Sequence, residues 1–404
     1  MKAYERLLNY VKIHTTSDED STSVPTTQRQ FDLARILVKE MEALGIQDVR
    51  MQDTCYVYGT IPATPGYENC PGIGFIAHMD TSPDFCGEHV NPQIHENYDG
   101  KDLEIGNGKI LTLDKFPHLA GLTGRTLITT DGTTLLGADD KAGIAEIMTL
   151  AEELINSDLP HGKVCIGFTP DEEVGGQAAD FDIPGFGATY AYTVDGSGEN
   201  EIVYENFNGC GVQFEINGFN IHPGEAKNRM INASLVAMEI NGMLPAAETP
   251  AHTDGYEGFF HLTQMEGNIE HAKLQYIIRD HSAAHFACRK EILQHIEKTI
   301  NEKYGAGTTT LTIQDQYFNM TEIIVPCMHL IDNVKAVIRA LGMEPDVSPI
   351  RGGTDGAELS FRGLPCPNLG TGGYAFHGPY EHITAEGMDL VVKIMRGIVE
   401  KYAQ

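Results

Sequence analysis

Residues 163–176 read KVCIGFTPDEEVGG. The first six form an apolar run of strand length, and Asp171, Glu172 and Glu173 stand where that strand would end. Like charges this close repel and raise one another's pKa unless a cation sits between them. The same construction, an apolar run closed by metal-competent side chains, recurs three times. His78 and Asp80 end GIGFIAHMD (72–80), Asp139 and Asp140 sit in LLGADDKAG (135–143), and Asp195 ends ATYAYTVD (188–195). Helical patterns alternate with these runs. Phe31, Ala34, Leu37, Val38, Met41 and Leu44 keep helical spacing before the stop at Gly45, and AGIAEIMTLAEELINS (142–157) gives a second amphipathic stretch. Alternating strands and helices predict an α/β domain with a mostly parallel sheet and helices on both faces. In such sheets ligands bind beyond the carboxyl ends of the strands, where all these side chains fall.

The pattern changes near residue 209. CGVQFEING, the helix MINASLVAMEINGML (230–244), GFFHLTQMEG, HAKLQYIIRD, a long helix from Ser282 to Tyr304 and TTLTIQDQ follow in β-α-β-β-α-β order. That order predicts a ferredoxin-like α+β domain. The helix MHLIDNVKAVIRALG and the terminal helix AEGMDLVVKIMRGIVEKY then resume the first pattern. The expected organisation is a discontinuous catalytic domain, 1–208 plus 317–404, interrupted by an inserted domain, 209–316.

Composition narrows the function. The 404 residues carry 57 acidic and 28 basic side chains, a formal charge of −29. Phosphate and anionic lipid contacts need clustered Lys and Arg, so neither nucleic acid nor membrane is the expected partner. Eight scattered cysteines without a C-x-x-C pair fit reduced thiols, and the N-terminus lacks a signal-peptide h-region, so the expected location is cytoplasmic. GIGFIA fits a dinucleotide pattern but is the strand itself rather than the turn after one. His281 and His285 lack an acidic third ligand and read as surface residues.

His377, in GGYAFHG (372–378), adds a second histidine with a glycine-rich approach. A set mixing imidazole nitrogens and carboxylates suits zinc, cobalt or manganese better than calcium or magnesium. Within the Asp139–Asp140 pair, Asp140 stands directly before a helix and can accept from its first amides, which leaves Asp139 for a metal.

The strings FIAHMDTSPDF, VNPQI, TPDEEVGG, AYTVDG, YIIRD, GLPCPNL and GGYAFHG together resemble the M20 metallopeptidase family. The longer strings TLITTDGTTLLGADDKAG and IRGGTDGAELSF resemble its tripeptide-aminopeptidase branch, and the likeness runs the length of the chain. The resemblance implies two zinc ions per subunit, with cobalt or manganese as alternatives. His78 and Asp195 would hold one, Glu173 and His377 the other, and Asp139 would bridge both through a residue whose following peptide bond is cis. Glu172 would be the general base for a metal-bridged water, and Asp80 would orient His78. The inserted domain would serve as a lid and as the dimerisation surface of a homodimer. His222 would stabilise an oxyanion, and Arg279 and Arg351 would clamp the tripeptide's C-terminal carboxylate, with ordinary ion pairing as the other reading of the two arginines. Other readings of the whole are a dipeptidase or N-acyl amino-acid deacylase of the same family, or a non-catalytic metal-binding scaffold.

Overall fold

The computed structural model describes residues 1–176 and 178–404, which divide into two compact units. The larger comprises Met1–Tyr204, Glu322–Ser348 and Thr354–Gln404; the smaller comprises Glu205–Thr321 and Pro349–Gly353. Pro349–Gly353 groups with the smaller unit because Arg351 donates there, to the carbonyls of Gly255 and Glu257 at 2.8 and 2.9 Å.

In the larger unit the main sheet runs Gln47–Met51, Val57–Ile61, Val164–Thr169, Ile73–His78, Tyr190–Gly196, Asn368–Gly370, Ile202–Val203. All these strands except Val57–Ile61 and Ile202–Val203 point the same way. Every residue of Ile73–His78 and Val164–Thr169 is buried, as expected of central strands covered on both faces. Gly74 and Gly167 serve that packing. A Cβ on Gly74 would lie 2.5 Å from the Phe186 ring and one on Gly167 3.0 Å from Phe181, so a side chain at either place would displace the aromatic cover.

The segment from 84 to 136 contributes to a second, antiparallel sheet. Its order is Gly373–Tyr374, His382–Thr384, Leu127–Thr129, Gln93–His95, so it draws two strands from near the C-terminus.

The smaller unit is a four-stranded antiparallel sheet in the order Phe259–Gly267, His271–Asp280, Asn208–Asn217, Thr309–Tyr317, with helices Ala233–Gly242 and Ala283–Tyr304. This is the split βαβ arrangement. Its core alternates along the strands: Cys210, Val212, Phe214 and Ile216 meet Ala272, Leu274, Tyr276 and Ile278. Two details differ from expectation. The first helix begins after Asn232 rather than at Met230, because Ile231 forms a β-bridge with Phe219 and Asn232 then caps the helix by accepting from Leu235 N. His281 is buried rather than on the surface: its ring lies 4.2 Å from that of Phe207 and its Nε2 meets the Ile350 carbonyl at 3.0 Å. His285 is exposed.

Candidate metal centre

The larger unit gathers His78, Asp139, Glu173, Asp195 and His377 at the ends of its strands and in the adjoining turns. His78 closes Ile73–His78 and is buried. Its Nε2 lies 2.9 Å from Asp139 Oδ1 and 3.4 Å from Asp195 Oδ1. The other Asp139 oxygen, Oδ2, lies 3.2 Å from His377 Nε2, which is also 2.9 Å from Glu173 Oε2. One carboxylate thus divides its two oxygens between two histidines, each backed by a further carboxylate.

Asp140 also lies within ligand range of His78 and Asp195. Its oxygens are already taken, however: Oδ1 accepts from Gly143 N at 3.1 Å, as the helix cap read from the sequence, and Oδ2 accepts from His78 N at 3.2 Å. Asp139 is therefore the freer candidate ligand. The Asp139–Asp140 peptide is cis.

Asp80 works on two partners. Its Oδ1 and carbonyl oxygen lie 3.3 and 3.1 Å from His78 Nδ1, so His78 presents Nε2 to the centre. Its carboxylate also accepts from Glu172 N at 3.0 Å and Glu173 N at 3.2 Å, which ties the 3-10 turn Glu172–Val174 to the neighbouring strand. The turn is anchored on its other side by Asp171, whose carboxylate accepts from Thr26 N, Thr26 Oγ1 and Gln30 Nε2. Asp171 and His377 both hold left-handed backbone (φ 60° and 61°), at a cost of roughly 1–2 kcal/mol each for a residue with a Cβ.

The electrostatics reflect burial and crowding. Burial, reinforced by Asp139, pushes Glu173 up to about 7, and burial pushes Asp195 up to about 6. Hydrogen bonds to Asp139 and Glu173 push His377 up to about 11. Burial works against protonation of His78, yet Asp195 and Asp139 outweigh it and hold the imidazole well above its ordinary range. Glu172 retains some access to water, but desolvation and the charges of Asp195, Asp355 and Glu173 hold its carboxyl well above the usual carboxylate range. No side chain among the described residues hydrogen-bonds the Glu172 carboxylate.

A divalent cation fits this donor set. Among the described residues Glu173 Oε1 is buried without a hydrogen-bond partner, an orphaned acceptor of the kind that calls for an ion. Two imidazole nitrogens facing three carboxylates also match the borderline metals better than calcium or magnesium.

The residues read from the sequence as substrate contacts lie on the smaller unit. His222 is exposed and caps a 3-10 turn, its Nδ1 accepting from Gly224 N. Arg279 lies over the Tyr317 ring at 4.8 Å and donates Nη1 to the Ile278 carbonyl and Gln316 Oε1. Arg351 occupies both terminal nitrogens with oxygens of Thr253, Gly255 and Glu257. Neither arginine forms an ion pair with a described carboxylate, so ordinary ion pairing is not what holds them.

Two buried carboxylates near the centre were given no role from the sequence. Asp355, in RGGTDGA, accepts from Thr169 Oγ1 at 2.7 Å on one oxygen and leaves the other unpartnered, and burial pushes it up to about 7. Glu381 accepts from three amides of the segment carrying Asp139. Asp355 lies inside IRGGTDGAELSF, one of the strings that carry the family resemblance, whereas Glu381 is marked only by its nearness to His377.

Residues 204–308 match the peptidase dimerisation domain of M20 proteins. Over 99% of its length, and 99% of the relative's, the chain is 50% identical to peptidase T of Alkaliphilus oremlandii. It is 51% identical to a peptidase T of Clostridium perfringens, covering 100% and 99% of the two chains. The chain belongs to the peptidase T family. It is thus an M20-type peptidase, and the reading as a non-catalytic scaffold gives way to that of an enzyme. Among solved structures, the aminopeptidase PepT from Bacillus cereus superposes with a TM-score of 0.79 at 22% identity, covering 100% of this chain and 98% of that one. A dinuclear metal-binding M20 peptidase from Bacillus subtilis gives 0.64 at 14%, covering 99% and 98%. At those identities the likeness concerns the fold. No helix among the described residues is long and apolar enough to cross a membrane.

Proposed function

We propose that this peptidase is a metal-dependent aminopeptidase that removes the N-terminal residue of tripeptides. The observation that carries the reading is the divided Asp139 carboxylate, with Oδ1 toward His78 and Oδ2 toward His377. His78, Asp139 and Asp195 would hold one divalent ion and His377, Glu173 and Asp139 the other, zinc by ligand chemistry with cobalt or manganese as substitutes. Bound there, a pair of ions supplies Lewis acidity and a nucleophile at neutral pH.

The chain's own residues do the rest. Asp80 holds His78 in the tautomer that offers Nε2, and its carboxylate fixes the Glu172 and Glu173 amides. Glu173 would ligate, while Glu172, without a side-chain hydrogen bond among the described residues, takes the proton of the attacking water at its carboxylate and returns it to the leaving amine. That transfer is worth roughly 10²–10⁴-fold. His222 would stabilise the developing oxyanion. Arg279 and Arg351 would receive the peptide's C-terminal carboxylate. The dimerisation-domain match supports a homodimer, and eight free cysteines fit a reducing compartment and support a cytoplasmic enzyme.

The test is metal analysis of the purified protein together with a panel of free peptides two to five residues long and an N-acetylated tripeptide. Two ions per chain and cleavage confined to the free tripeptide are expected. Preference for a dipeptide or for the acetylated substrate would replace the substrate assignment with a dipeptidase or deacylase.

A further inference from the structure

The peptide segment that presents Asp139 has its own structural demand. Gly137 turns it through left-handed backbone (φ 78°), and the amides of Leu136, Gly137 and Asp139 are drawn to one side. Buried amides require acceptors, and these three share one. Glu381 Oε2 accepts from Leu136 N at 2.7 Å and Gly137 N at 2.8 Å, and Oε1 accepts from Asp139 N at 3.1 Å. The Glu381 residue is 1% exposed.

Its place in the chain adds meaning. Glu381 stands in the turn between the strands Gly373–Tyr374 and His382–Thr384, the same turn that carries His377, and its own amide donates to the Gly378 carbonyl at 3.2 Å. One hairpin therefore brings both the imidazole that faces Asp139 Oδ2 and the carboxylate that grips the Asp139 backbone. The two contacts are made from opposite sides of a single residue, its side chain and its amide.

We propose that Glu381 is a positioning residue for Asp139: its three-amide brace locks the bridging carboxylate at the spacing from His377 that lets each oxygen serve a different histidine. The inference rests on the metal-centre reading above. Both Glu381 oxygens act as acceptors, so Glu381→Gln keeps the size but turns an NH₂ toward at least one amide N–H, donor against donor. Glu381→Asp keeps the acceptors and withdraws them by one methylene.

The experiment compares the wild type, E381Q and E381D after chelator treatment. Each is titrated with zinc against a chromophoric chelator, melted without metal, and assayed on a tripeptide at saturating metal. E381Q is expected to lose about 10–100-fold in zinc affinity, the usual effect of removing a group behind a metal ligand. Its kcat should fall with KM little changed, the pattern of an interaction acting at the reaction step rather than in substrate binding. E381D should recover part of both, and E381Q should also melt below the wild type without metal, because a buried amide loses its acceptor. A lowered melting temperature with unchanged zinc affinity and kcat would make Glu381 a purely structural residue and overturn the proposal. So would failure of both variants to fold. If the wild type binds fewer than two ions, or if Asp139→Ala leaves zinc binding intact, it is the metal-centre reading that falls, and the inference falls with it.

Discussion

Two strands of this chain bury their side chains by opposite rules. In His271–Asp280, Ala272, Leu274, Tyr276 and Ile278 are buried while the residues between them are half-buried or exposed. In Ile73–His78 every residue is buried, and the strand ends in an imidazole surrounded by carboxylates. The first strand has one covered face, and apart from Asp280, which pairs with Arg289 at 2.8 Å, what it buries is apolar. The second is covered on both faces, and only beyond its last residue can backbone polar groups and ionisable side chains gather without breaking the sheet. The smaller unit is thus built for cohesion. The larger unit holds a crowded group of acids that contributes repulsion when no cation is present.

If that division is real, the largest effect on function should come without loss of stability. Glu172→Gln removes a carboxylate that lies under the influence of Asp195, Asp355 and Glu173 and that no described side chain hydrogen-bonds. We expect kcat to drop about 10²–10⁴-fold, with both ions retained. The metal-free protein should melt at or above the wild-type temperature, because one of several mutually repelling charges has gone. Steady-state kinetics, metal analysis and thermal denaturation check this together. Activity near the wild type would end the general-base assignment, and loss of an ion would make Glu172 a ligand.

The converse substitution belongs to the smaller unit. Phe214 is fully buried in the core of that sheet and meets the Tyr276 ring edge-on at 6.4 Å. Phe214→Ala should cost about 3–5 kcal/mol by lost burial and the cavity left behind, read as a lowered urea midpoint. Zinc affinity should be unchanged, since none of the proposed ligands lies in that unit. A parallel loss of zinc affinity would break the division between cohesion and chemistry.

How much of this was legible depended on how local each signal is. His78 and Asp195 could be read because each closes an apolar run, and Asp139 could be told from Asp140 because a cap is a neighbourhood property: Gly143 N, three residues on, is its donor. The split βαβ order was legible for the same reason, since each of its strands is nine or ten residues long, enough to show alternation. The antiparallel sheet holding Leu127–Thr129 and His382–Thr384 was not, because strands of three residues have no measurable period. Glu381 lay further out of reach. Its partners are 242 to 245 residues away in sequence, and nothing in HGPYEH distinguishes a brace from a solvated acid. Arg351 shows the same limit, since a cation in sequence suggests carboxylate partners and the structure supplies carbonyls.

The smallest effect sharpens the comparison most finely, because both units use the same device. Ser282 Oγ accepts from His285 N at 3.3 Å at the start of Ala283–Tyr304, just as Asp140 Oδ1 accepts from Gly143 N at 3.1 Å. Among the described residues the Ser282 hydroxyl makes no other hydrogen bond, whereas the second Asp140 oxygen also holds the amide of His78. Ser282→Ala should therefore cost about 1 kcal/mol of stability, the usual worth of an N-cap, and Ser282→Gly only a few tenths, with zinc affinity untouched in both. Asp140→Ala would remove a cap of the same kind and lower zinc affinity as well, since the backbone of a proposed ligand, His78, loses its acceptor. Equal zinc affinities for the two alanine variants would show that the His78 amide needs no such support, and the cap in the larger unit would then be as purely structural as the one in the smaller.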